Sequence, residues 1–135
     1  EPVPSLPVMA KVLFVHPQFP GQFLWLARHL AGLAENSVKA LIAAPYVEKA
    51  PDIPGVEYRS YGSEVVADRP RNHALHDTET FVRNAASAAI QAEEMKRQGF
   101  QPDVIYTHSS WGIGAFLHNV FPRAKQVKYC EWYYN

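Results

Sequence analysis

Lys11-Val12-Leu13-Phe14-Val15-His16, followed at once by Pro17-Gln18-Phe19-Pro20-Gly21-Gln22-Phe23, decides the fold. A short run of β-forming apolar residues ends in a turn with two prolines and a glycine. A helical pattern then begins. Phe23, Leu26, Ala27, Leu30 and Leu33 recur at three and four residues, which gives one apolar face to a helix over 21–34. A strand that runs straight into a turn and a helix opens an α/β sheet, and such sheets bind ligands in the crevice outside the carboxyl ends of their strands.

Val38 to Ala44 is a continuous apolar strand, the kind buried on both faces of a parallel sheet. Pro45 to Pro54 reads as a loop. In Gly55 to Tyr61, Val56, Tyr58 and Ser60 alternate with Glu57 and Arg59, a half-exposed edge strand. A polar connection follows over Gly62 to Leu75. The next helix is predicted from Thr78 to Gln98, capped by Asp77 or Thr78 and stopped by a left-handed Gly99. Its centre, Ala85-Ala86-Ser87-Ala88-Ala89, lets a helix lie close to a sheet. A strand over Val104 to Thr107, a helix over Ile113 to Asn119 and a strand over Gln126 to Glu131 complete the order β-α-β-β-α-β-α-β. That alternation predicts a parallel sheet with helices on both faces.

The 135 residues are one domain's worth of chain. Lys+Arg and Asp+Glu balance at 13 each, so no bulk attraction to nucleic acid is expected. Cys130 is the single cysteine, so no internal disulfide can form. Residues 1–8 are Pro-rich without a basic start, and read as a linker or expression remnant before a natural start at Met9. Lys125 to Tyr134 is strand-like and aromatic with nothing polar to cover it, so the sequence reads as a piece of a longer polypeptide.

Pro20, Gly21 and Gln22 stand at a predicted helix N-terminus, whose N–H groups and partial positive charge suit a phosphate. A tight turn without a ligand accounts for them equally well. Neither GxGxxG nor GxxxxGK[ST] is present, which disfavours a Rossmann nicotinamide site and excludes a P-loop. His108 follows a central strand, where an imidazole can bond a sugar hydroxyl or steady a developing charge. Ser109, Ser110, Trp111 and Gly112 continue from it and line the same crevice. His16 holds the matching place on the first strand, as ligand contact or as support for the turn. Arg69, Arg71 and His73, with His76, could meet an anionic acceptor, although a solvated loop explains them more simply. His108 to Gly112 also differs from a G-x-S-x-G hydrolase nucleophile elbow at Ser110 only in its first position, but the only histidine after Ser110 is His118 and no aspartate follows, so a triad is not supplied. Asp103 precedes its strand and lies at the edge away from the crevice. No histidine–carboxylate spacing suggests a metal site.

Three motifs occur in order: Lys-Val-Leu-Phe-Val-His-Pro-Gln-Phe-Pro-Gly-Gln-Phe at 11–23, Gln-Pro-Asp-Val-Ile-Tyr-Thr-His-Ser-Ser-Trp-Gly at 101–112, and Tyr-Cys-Glu-Trp-Tyr-Tyr at 129–134. Over Met9 to Asn135 the chain resembles the N-terminal domain of family 4 glycosyltransferases, notably the bacterial subgroup that opens with a His-Pro-x-Phe-Pro-Gly-Gln-Phe turn. The resemblance implies a Rossmann-like domain, over 9–135, that is one half of a GT-B fold. It implies a retaining enzyme that uses a nucleotide-sugar as co-substrate, without a cofactor or catalytic metal. The turn Pro20-Gly21-Gln22 would approach the donor phosphates, with His16 in the same cleft, and His108 would lie by the donor sugar. The acceptor (a sugar, a lipid-linked or a small molecule) would be received here. A C-terminal domain with a Glu-x7-Glu element would hold most of the nucleotide, and this chain lacks that element, so the fragment alone is expected to be inactive. The location it implies is the cytoplasm, or the inner membrane face peripherally, since many relatives work on lipid-linked acceptors. A stand-alone α/β binding module is the alternative reading, and a serine hydrolase the third.

Overall fold

The computed structural model describes residues 9–62, 73–109 and 112–131. Five strands form one sheet: β1 (Lys11–Val15), β2 (Ser37–Ala43), β3 (Val56–Tyr61), β4 (Val104–His108) and β5 (Lys125–Tyr129). Their order is β3-β2-β1-β4-β5 and all four pairings are parallel. The expected Rossmann-like α/β sheet is therefore present. β1 lies at its centre, with Val12 level with Val38 on one side and Val104 on the other.

The two-residue period of β1 divides the core. Val12 and Phe14 pack with Val38, Ala40 and Ile42 of β2 and with Phe19, Phe23 and Ala27. Leu13 and Val15 pack with Leu41 and Ile105 on the other face. The first face is covered by α1 (Leu24–Ala31), the second by α2 (His73–Arg97) and the short α3 (Leu117–Val120). Ala88 and Ala92 of α2 are buried against the sheet with Met95, so the small side chains set the close approach of that helix. β3 is the half-exposed edge expected from its alternation, and β5, at the opposite edge, is mostly exposed.

Several boundaries differ from the sequence reading: the stretch expected as a loop over Pro45 to Pro54 opens with a 3-10 helix at Ala44–Lys49, which Pro45 helps start, and β5 ends at Tyr129 where a strand to Glu131 was expected. The first helix opens with a 3-10 turn at Gly21–Phe23, and α1 ends at Ala31. Asn36 ends it by donating from Nδ2 to the Leu30 carbonyl and accepting the Ala10 N–H at Oδ1, which leaves Leu33 exposed beyond the helix. α2 begins at His73, so Asp77 and Thr78 lie inside it and not at its N-cap position. Ala74 and Leu75 are good helix formers, and the Glu79–Arg83 pair, four residues apart, supports the first turns. Gly99 does adopt the left-handed stop, with φ +93°. The helix expected over 113–119 is reduced to turns followed by α3.

Asp103 lies at the amino edge as expected. Its Oδ2 accepts the Lys11 N–H at 2.8 Å, and its backbone bonds both Lys11 and Lys125, tying together the starts of β1, β4 and β5. Among the described residues no helix is long and apolar enough to cross a membrane.

Candidate functional site

At the carboxyl edge, β1 hands the chain to a turn that its own aromatic residues hold down. Phe14 has Phe19 at 5.5 Å, Phe23 at 5.4 Å and Tyr106 of β4 at 5.2 Å, ring centre to ring centre. Burial of these rings fixes where the chain re-emerges. His16 follows β1 directly, and its N–H still donates to the Leu41 carbonyl. His108 is the last residue of β4. Because β1 and β4 are neighbours in register, the two histidines meet. Their rings stand nearly perpendicular with centres 5.9 Å apart, and both are buried, His16 at 3% exposure and His108 at 1%.

A chain of hydrogen bonds links them. The Gln18 N–H donates to His16 Nδ1 at 3.0 Å. A backbone N–H can only donate, so Nδ1 is the bare nitrogen and the ring proton is assigned to Nε2, which donates to Gln22 Oε1 at 3.1 Å. The Gln22 amide nitrogen then faces Glu131 Oε2 at 3.5 Å, and the same oxygen lies 3.3 Å from His108 Nε2, whose N–H it accepts. Burial pushes the His16 pKa below the usual histidine range. The Gln22 bond and Glu131 pull it upward and the nearby His108 lowers it further.

Gly21 is required by this arrangement. Its φ is +47°, and a Cβ there would come within 2.6 Å of His16 Nε2. No side chain caps the turn that starts at Gly21. On the far side of His108, Gly114 packs against Thr107, where a Cβ would approach within 2.9 Å of its Cγ2. The loop folds back there and leaves a recess of about 110 Å³ bordered by His108, Ser109, Gly112 and Lys128.

Of the residues singled out from sequence, the structure brings His16, Gly21, Gln22, His108, Ser109 and Gly112 to one edge, with Pro20 at the head of the turn. Ser110, Trp111, Arg69 and Arg71 lie outside the described residues. The backbone of His73 begins α2, and its side chain is likewise outside them. His118, the one histidine after Ser110, is on the exposed side of α3. Two residues were missed. Glu131 lies two residues past β5, and its signal was position, beyond the carboxyl end of a strand beside β4. Lys128 places a cation beside the His108 recess. Among the described residues no three His, Cys, Asp or Glu side chains are grouped as ligands for a metal.

The family model described as "Glycosyl transferase family 4 group" matches residues 36–135. No curated protein sequence matches. Among solved structures, CalG4, the calicheamicin glycosyltransferase, superposes with a TM-score of 0.68 at 16% identity, over 95% of this chain and 34% of that one. TcCGT1 in complex with UDP gives 0.63 at 15% identity, over 90% and 28%. The C-terminal domain of PF1911 hydrogenase from Pyrococcus furiosus gives 0.58 at 12% identity, over 96% and 100%. At these identities the likeness is one of fold. The chain spans about a third of the length of the first two structures.

Proposed function

This chain belongs to the glycosyl transferase family 4 group, and we propose that it is the N-terminal, acceptor-side domain of a retaining enzyme that transfers a sugar from a nucleotide-sugar donor. The observation that carries this reading is the buried His108 at the carboxyl end of β4, joined through Glu131 and Gln22 to the glycine turn after β1. The nucleotide class is supported by TcCGT1, which was solved with UDP and shares the fold.

As the bond between the sugar and the leaving phosphate breaks, negative charge grows on the phosphate and positive character on the anomeric carbon. Backbone N–H groups at Gly21 and Gln22 would face the phosphate. Lys128 borders the recess beside His108 and brings positive charge there. His108 would sit by the sugar. Glu131 accepts from its Nε2, fixes the plane of the ring and adds negative potential where positive charge develops. His16 stays neutral in this role. It holds Gln22 in place and serves as the floor under Gly21.

The chain carries no Glu-x7-Glu element, so a second domain would complete the donor site and closure would exclude water. No cofactor or catalytic metal is called for. Residues 1–8 would be a linker, and the protein would work in the cytoplasm or against the inner membrane face. The PF1911 domain shows that this fold also occurs under a different name, so a binding module without chemistry is the competing reading. Release of nucleoside diphosphate, measured for the complete natural polypeptide over a panel of nucleotide-sugars and acceptors, separates the two. Donor-dependent release is expected from the whole protein and none from the 135-residue chain. Absence of release from the whole protein would favour the binding module.

A further inference from the structure

A second recess lies at the carboxyl ends of β2 and β3, between the turn after β1 and the first half of α2. Its volume is about 200 Å³, and Gln18, Tyr46, Tyr61, Thr80, Phe81 and Asn84 form most of its wall. Thr80 and Asn84 are one helical turn apart on the same face of α2. Thr80 Oγ1 and Asn84 Oδ1 are buried and bonded by no group among the described residues, and the same holds for His76 Nδ1 one turn nearer the start of the helix. Burying a polar atom without a partner costs stability, and valine or leucine would build the same wall without that cost.

The unpaired atoms limit what could fill the recess. Asn84 Oδ1 accepts only, so a ligand must bring a donor. The Thr80 hydroxyl both donates and accepts. Burial pushes the pKa of the Tyr61 hydroxyl up, which keeps it a neutral phenol able to do either. Hydroxyl groups meet all three demands. A phosphate or carboxylate only accepts, and an apolar ring does neither. No charged side chain is part of the described lining, so a charged ligand would shed its hydration with no counter-charge in return. The volume falls below the roughly 300–1,000 Å³ of pockets for drug-sized ligands, which suits a single ring. Tyr46 and Phe81 offer apolar surface for the C–H face of that ring.

We propose that this recess binds a neutral, polyhydroxylated ring, one saccharide unit of the acceptor, through Thr80 and Asn84. That the ring is an acceptor rests on the transferase reading; that it binds here does not.

The test is an NMR titration of the 15N-labelled 135-residue chain. The probes are the methyl pyranosides of glucose, galactose, mannose and N-acetylglucosamine, with glucose 6-phosphate, 4-nitrophenol and UDP titrated separately. At least one methyl pyranoside is expected to shift the Asn84 side-chain amide together with the Thr80 and Tyr61 resonances. Thr80→Val should weaken that binding about tenfold, the equivalent of one hydrogen bond, and should raise the melting temperature because it removes an unpaired buried hydroxyl. Three results overturn the proposal: no methyl pyranoside moves Asn84, only the charged or the aromatic probe moves it, or Thr80→Val binds as tightly as the wild type. If Thr80→Val does not fold, the wild-type titration still decides, and Asn84→Leu supplies the second variant. UDP reports on the other site through Gly21, Gln22 and Ser109. The donor reading is decided separately, by nucleoside diphosphate release from the complete natural polypeptide: no release there alongside shifts at Asn84 would sink the donor site and leave this one standing.

Discussion

Gly21 and His16 depend on each other. The left-handed backbone at position 21 disfavours any L side chain, and the imidazole beneath fills the space a Cβ would take. Gly21→Ala should therefore lower stability by about 1–3 kcal/mol, combining backbone strain with displacement of the ring. A urea melt indistinguishable from wild type would show that the turn tolerates a side chain. His16 carries a pH dependence. Burial lowers its folded pKa, and the Gln18 N–H occupies the nitrogen that a second proton would need. The unfolded chain takes up that proton near pH ~6.5 while the folded chain remains neutral. Between that pH and the lower folded value the unfolded state binds more protons, so stability rises with pH in this window and is lost on acidification. Denaturation midpoints should fall on the acid side of pH ~6.5. His16→Asn keeps an acceptor for the Gln18 N–H and should flatten that slope. An unchanged slope in the variant would assign the acid sensitivity to another group.

The sheet was legible because strands and helices leave different periods in a sequence. The runs at 11–16, 38–44 and 104–107 are mostly apolar, interrupted by Lys39 and bounded by Lys11, His16 and Thr107, as strands with both faces covered tend to be. The 55–61 run alternates, and it became an edge. The end of α2 was legible from Gly99. Its start was not, because Asp77 and Thr78 have the chemistry of caps, but residues 73–76 also favour a helix and the turn continues through them. Glu131 was hidden for another reason. Its partners Gln22 and His108 are 109 and 23 positions away in the chain, so only the sheet order brings them together. At the level of elements, the seat of α2 depends on its small residues. Ala88 is completely buried, and Ala88→Leu should cost about 1–3 kcal/mol by overpacking. Ile90→Lys, on the exposed side of the same helix, should change stability by less than about 0.5 kcal/mol. Equal effects of the two substitutions in chemical denaturation would mean that α2 is not docked through its alanine face.

As a whole, the molecule gathers its candidate groups at one edge. The carboxyl ends of the strands carry the histidine pair, the glycine turn, the carboxylate of Glu131 and both recesses, while the amino edge is closed by the Asp103 bonds. The account stands on His108 acting at the donor sugar from this edge. The most direct measurement is nucleoside diphosphate release by the complete natural polypeptide, comparing wild type with His108→Ala at saturating donor and with the fold of the variant confirmed by circular dichroism. Loss of one preorganised polar group at the reacting centre predicts a fall in kcat of about 10²–10³-fold. A folded His108→Ala enzyme that turns over at the wild-type rate would contradict the account.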